Sequence, residues 1–163
     1  MSETRTPVAT GGCQCGAVRY ALYAMPEGSV CHCRMCQKAV GGPFAALAKL
    51  AKADVVWTRG TPAAFRSSPS AYRDFCAACG TPLTFRYPDA AHMEVTIGSL
   101  DNPAAVPPRR NFGAESRLPW IAELMPGRLP DTTSDQLPAR NRSNRQHPDH
   151  DTPEGWSPPI VEG

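Results

Sequence analysis

Aromatic residues make up only 7% of the chain, too few to fill a large core unaided. Charge of one sign is equally scarce. Lys and Arg number 17 against 15 for Asp and Glu, a net +2, which excludes the broad basic surface that binds nucleic acid or anionic membranes. No apolar run approaches the roughly 18 residues of a membrane span, and the opening MSETRTPVATGG has no apolar stretch of the secretory kind. The expectation is a cytoplasmic protein with neither nucleic-acid nor membrane partners. Eighteen prolines and 13 glycines in 163 residues exclude long helices. There is no internal repeat, and no Ser-His-Asp set, phosphate loop or carboxylate dyad to suggest hydrolase or kinase chemistry.

What the chain does have is sulfur, gathered in three places. All seven cysteines fall in Cys13-Gln14-Cys15-Gly16, Cys31-His32-Cys33-Arg34-Met35-Cys36 and Cys76-Ala77-Ala78-Cys79-Gly80. A reducing compartment disfavours disulfides, and an odd number of thiols cannot all pair. Metal ligation is the better use. Cys76 and Cys79 grip one tetrahedral ion from a tight turn, with Gly80 tolerating the positive φ such a turn needs. A redox dithiol would need a helix starting inside the motif, which Gly80, Thr81 and Pro82 oppose. Cys13 and Cys15 share a strand face and need a partner pair, for which Cys76 and Cys79 are the obvious candidates. That leaves Cys31, Cys33 and Cys36 with a fourth coordination position open, as a catalytic zinc requires. Spacing alone also permits Cys33 and Cys36 to join Cys13 and Cys15, or His32 to close the three-thiol site.

The remainder reads as short strands between breakers, an all-β pattern. Ala17 to Tyr23 alternates as a strand, and Pro26-Glu27-Gly28 reads as a turn into the central cysteines. Phe44 to Leu50 reads as a strand in preference to an Ala-rich helical turn. Asp54 to Arg59, Ala63 to Arg66, Tyr72 to Phe75, Pro82 to Tyr87 and Met93 to Ile97 follow as further strands. The domain plan is a mobile start over 1–10, one zinc-binding domain over 11–130, and an extended or disordered tail over 131–163, rich in Pro, Asp, Asn, Arg and Ser.

In order, G-x-C-x-C-G-x-V-R-Y (Gly11 to Tyr20), C-H-C-x-x-C-Q-K (Cys31 to Lys38) and F-C-x-x-C-G-T-P-L (Phe75 to Leu83) closely resemble the glutathione-dependent formaldehyde-activating enzymes. The likeness continues through Gly98 to Pro103 and Leu118-Pro119-Trp120, covering roughly residues 11 to 126. It implies several small coiled β-sheets around zinc sites, similar to a zinc chaperone of Rab GTPases, and two Zn2+ per chain. One would be structural, on Cys13, Cys15, Cys76 and Cys79; the other catalytic, on Cys31, Cys33 and Cys36. The implied reaction is that of a carbon-sulfur lyase of the S-(hydroxymethyl)glutathione synthase type, joining a small-molecule thiol to a small aldehyde. Where relatives often carry a His followed by an apolar residue, this chain has Asn111-Phe112. The tail's His147-Pro148-Asp149-His150 resembles a segment of some relatives and reads as solvated.

Three thiolates on one Zn2+ leave an anionic site by simple counting, so nearby cations are expected to serve substrate binding. Arg34, Lys38 and Arg73 lie within or beside the clusters. The family also resembles part of centromere protein V, and a non-catalytic zinc-stabilised binding or chaperone module is the alternative reading.

Overall fold

The computed structural model describes residues 5–124, 127–138 and 145–157. Among them the chain forms β1 (Ala9–Gly12), β2 (Arg19–Leu22), β3 (Glu27–Cys31), the helix α1 (Arg34–Val40), β4 (Ala45–Ala51), β5 (Val55–Arg59), β6 (Ala63–Arg66), β7 (Tyr72–Phe75), β8 (Pro82–Arg86), β9 (His92–Thr96) and β10 (Asn111–Phe112), with short 3-10 turns between. The fold is mainly β, as expected. No helix among the described residues is long and apolar enough to cross a membrane.

Two sheets divide the strands. A three-stranded sheet runs in the order β1-β2-β5, and a seven-stranded one in the order β10-β3-β4-β9-β8-β7-β6. Neighbours are antiparallel except β10, which lies parallel to β3. Period-two alternation splits β4 and β9 cleanly. Ala48 and Leu50, opposite Val95 and Met93, join Tyr20, Leu22 and Leu83 in the main core, together with Cys13 and Cys76. Leu22 and Leu83 are 0% exposed, and burial of this completeness contributes about 1.5–3 kcal/mol per side chain. The opposite face of β4 looks toward α1, where Cys36, Ala45 and Leu47 form a smaller cluster.

Phe44 to Leu50 proves a strand because β4 is flanked by β3 and β9 on both edges, pairing that outweighs the helix propensity of Ala and Leu. Pro26-Glu27-Gly28 is not a turn: Glu27 and Gly28 already pair with Lys49 and Ala48. The strand over Ala17 to Tyr23 shortens to Arg19–Leu22, and β1 begins at Ala9, inside the stretch expected to be mobile.

The part of the tail spanning residues 145–157 lies against the three-stranded sheet. His147 is 3% exposed, contrary to the solvated reading. Its backbone N–H donates to the Gln14 carbonyl at 2.7 Å, and its ring meets Trp156 edge-on at 4.6 Å. Arg19 donates to Asp151 at 2.7 Å and Arg59 to the Thr152 carbonyl. Gly16, at φ +77, backs directly onto the His147 ring, leaving no room for a Cβ.

Candidate metal centres and the adjoining clefts

Two turns present the four-cysteine group. Gly16 and Gly80, the residues after Cys15 and Cys79, adopt φ +77 and +78, and their N–H groups donate to Cys13 and Cys76 at 3.0 and 2.8 Å. Cys13, Cys15, Cys76 and Cys79 place their sulfurs within 4.8 Å of one another. Four thiolates about 2.3 Å from a tetrahedral ion stand about 3.8 Å apart. The Cys13–Cys15 and Cys15–Cys76 sulfur separations, 3.6 and 3.8 Å, fit that figure and are far too long for a disulfide.

Cys31, at the end of β3, and Cys33 and Cys36, at the start of α1, form the second group, again within 4.8 Å. The Cys33 sulfur accepts from the Cys36 N–H at 3.4 Å and so caps the helix it opens. No His, Asp or Glu among the described residues joins either group. His32 is turned away, its Nε2 3.3 Å from Asn111 Oδ1 and its ring edge-on to Phe44. Asn111 therefore supports His32 while Phe112, paired with Cys31 across β10 and β3, borders the site. The seven thiols thus lie in one group of four and one of three.

The electrostatics within each group favour a shared cation. Burial pushes Cys31 up to about 12, with its neighbouring thiols adding to the rise. Burial also opposes ionisation of Cys33, yet hydrogen bonds from the backbone and side chain of Cys36 hold that thiol below its ordinary value. The four-thiol group repeats the pattern, with Cys15 driven by burial up to about 12 and Cys79 brought to about 6, against the pull of burial, chiefly by its hydrogen bonds to Thr81. One thiol in each set ionises readily at its neighbours' expense. A soft cation removes that conflict, so both donor sets fit zinc.

The groups differ in what surrounds them. Cys13 and Cys76 belong to the main core, and none of the four thiols lines either of the two clefts described below. Cys31, Cys33 and Cys36 line one of about 540 Å³. Its floor is a single row across the large sheet: Glu27 lies opposite Lys49, Lys49 opposite Glu94, Glu94 opposite Phe85, and Phe85 opposite Arg73. Directly paired residues share a face, so the row sets alternating charges beside the thiols. Burial raises the Glu94 pKa, opposed by Lys49 and Arg73.

Of the three cations expected to bind substrate, Arg73 alone lines this cleft. Its Nη2 donates to the Cys36 sulfur at 3.3 Å, its guanidinium stacks over Phe85 at 4.8 Å, and its buried Nε has no partner. Arg34 and Lys38 sit on the exposed face of α1 and line a second cleft, of about 630 Å³; Arg34 donates to Gln37 Oε1 at 3.0 Å. Sequence reasoning missed Lys49, Glu94 and Arg110. The only local signal for the first was that Lys49 interrupts an apolar strand two residues from Leu47.

Gly113, at φ +63, packs against Cys33 so that a Cβ would lie 2.7 Å from its backbone nitrogen. Gly113→Ala should cost about 1–3 kcal/mol in strain and loosen metal at the three-thiol group, read as a lower urea midpoint and a faster transfer of one metal equivalent to a chromogenic chelator. An unchanged midpoint and transfer rate would refute the packing argument.

A sequence profile described as "Glutathione-dependent formaldehyde-activating enzyme" matches residues 8–115. An uncharacterized lyase of Schizosaccharomyces pombe is 35% identical over 82 residues, which are 50% of this chain and 59% of the yeast protein. The chain thus spans well under two thirds of that relative's length. The crystal structure of a Rhodobacter sphaeroides protein has a similar fold, with a TM-score of 0.50 and 22% identity over 63% of this chain and 98% of that one.

Proposed function

The chain belongs to the glutathione-dependent formaldehyde-activating enzyme family, and on that footing we propose that it adds a small-molecule thiol, glutathione or one like it, to a small aldehyde such as formaldehyde. It would act as a carbon-sulfur lyase of the S-(hydroxymethyl)glutathione synthase type running toward addition. The observation that carries this reading is the unequal setting of the two thiol groups: the four-thiol set is anchored in the main core through Cys13 and Cys76, while the three-thiol set walls a cleft with charged residues in its floor.

On this reading Cys13, Cys15, Cys76 and Cys79 hold a structural zinc, and Cys31, Cys33 and Cys36 hold a catalytic one. A bound zinc there supplies Lewis acidity and keeps sulfur deprotonated at neutral pH. The protein's own side chains do the rest. Arg73 offsets the negative charge of the thiolates, and its guanidinium offers a charged hydrogen bond to a substrate carboxylate. Lys49 in the floor and Arg110 in the lining add positive charge to the cleft, and Glu94 suits a substrate ammonium. A glutathione-like thiol carries both kinds of group. Arg34 and Lys38 contribute only positive potential around an anionic site. Phe85, Phe112 and Met35 line the same cleft and exclude water from the reacting sulfur and carbonyl.

Arg73→Met keeps the apolar stem and removes the donors. Loss of a charged hydrogen bond of about 1.5–3 kcal/mol should raise KM for glutathione by roughly 10- to 100-fold with metal content unchanged. Glutathione diethyl ester, lacking the carboxylates, should be affected far less. The reading itself is tested on metal-loaded protein by following adduct formation from glutathione and formaldehyde, alongside a glutathione-binding titration. Silence in both would favour the non-catalytic zinc-stabilised module.

A further inference from the structure

The two clefts meet at Met35, Leu47 and Arg73, which line both, and Leu47 packs on Cys36. Beyond that divide the second cleft changes character. Ala39 and Val40 of α1 face Phe65, Phe75 and Pro82 across it, and apart from the unpartnered Ser67 Oγ and Arg73 Nε most of its polar groups are engaged or peripheral. Asp74 is taken by Thr84 and by two bonds from Arg86; Arg34 bonds Gln37; Lys38 is exposed on the helix. Phe65 extends the Lys49–Arg73 row onto the edge strand, opposite Arg73, yet is 61% exposed. An aromatic ring left in water on the rim of a concave apolar wall gains only if something covers it. A one-carbon aldehyde cannot.

We propose that this second cleft is a subsite for the apolar tail of the carbonyl substrate, so that the aldehyde preferred by this protein carries several carbons beyond its carbonyl. The inference rests on the thiol-addition reading and narrows it. The charged cleft holds the thiol, the carbonyl carbon lies beside Cys31, Cys33 and Cys36, and the tail passes Met35 and Leu47 toward Phe65. The carbon-sulfur bond forms as the carbonyl π bond breaks, and the thiol proton ends on the former carbonyl oxygen. No electrons are gained or lost overall.

The test uses the whole chain, zinc-loaded, with glutathione and either formaldehyde or hexanal. Hexanal should show kcat/KM at least about tenfold above formaldehyde, a modest return for several buried methylenes, and Phe65→Ala should erase that preference. Independently of turnover, 1-hexanol should shift the backbone amide resonances of Ala39, Val40 and Phe65, and Ala39→Asp should abolish those shifts. Formaldehyde preferred with Ala39 and Val40 unmoved overturns the subsite and leaves the thiol-addition reading standing. Hexanol shifting Lys49 and Glu94 in place of Ala39 and Val40 overturns it as well, by putting the tail in the charged cleft. A dimer that Phe65→Ala converts to monomer overturns it in favour of a second copy of the chain. Hexanol bound at Ala39 and Val40 with no adduct from either aldehyde overturns the reaction and, with it, the aldehyde assignment.

Discussion

Cys76→Ser should unfold the domain, whereas Cys36→Ser should leave it folded, short of one zinc and inactive. The asymmetry follows from what each sulfur touches. Cys76 is 1% exposed inside the cluster that contains Tyr20, Leu22, Leu83 and Val95, so the ion it would share with Cys13, Cys15 and Cys79 ties the turn after β7 to the turn after β1. A structural zinc site contributes about 10–16 kcal/mol at neutral pH, against a total stability of about 5–15 kcal/mol for an ordinary domain. Losing one ligand of four therefore removes most of the margin. Cys36 sits in the small cluster of Ala45, Leu47 and Val40 with the other two thiols of its group, and β3 and β4 remain paired along five residues without it. Circular dichroism with metal counted by mass spectrometry reads both outcomes. Equal collapse in the two variants would mean that both ions are staples, and the cleft beside Cys36 would lose its claim to chemistry.

The metal groups were readable because they are local. Three thiols in six residues, and glycine immediately after Cys15 and Cys79, state the cysteine turns in a few letters, and the family resemblance implied how they group. The strands were readable for a similar reason, since breakers such as Gly60 and Pro62 bound them. The cleft was not. Lys49, Glu94, Phe85 and Arg73 become neighbours only through the register of four strands from different parts of the chain, and nothing within any one strand states that register. Glu27 was hidden by its own neighbours, as Pro26 and Gly28 read as a turn although the pairing of β3 with β4 draws the segment straight. Arg34 and Lys38 attracted notice by sitting next to cysteines in the sequence, but helical geometry turns them to the far side of Met35.

Arg19 is the clearest case of a residue whose role the linear pattern disguised, and it supports the second large effect. Alternation along Ala17 to Tyr23 assigns Arg19 to the less apolar face, yet its side chain is 3% exposed and bridges Asp101 at 2.6 Å and Asp151 at 2.7 Å. It thereby joins β2 both to the turn after β9 and to the tail. Asp101→Asn should cost about 3 kcal/mol, the lower end for breaking a buried pair from one side, because Asp151 still partly balances the guanidinium. That is roughly 6–12 °C in Tm for a chain of this size. The pH dependence carries its own signature. Burial works against the charged form of Asp101, but the hydrogen bonds from Arg19 and Thr10 and the charge of Arg19 win and lower its pKa. A carboxylate depressed in the folded state stabilises above its unfolded pKa of about 3.9, and that contribution is lost as pH falls through the folded value. The native protein should therefore lose stability on acidification below about pH 4 by a component that the Asn variant lacks, so the two stability curves converge toward acid. Curves that stay parallel from neutral pH into that range would show that Asp101 is not what holds the Arg19 charge inside the fold.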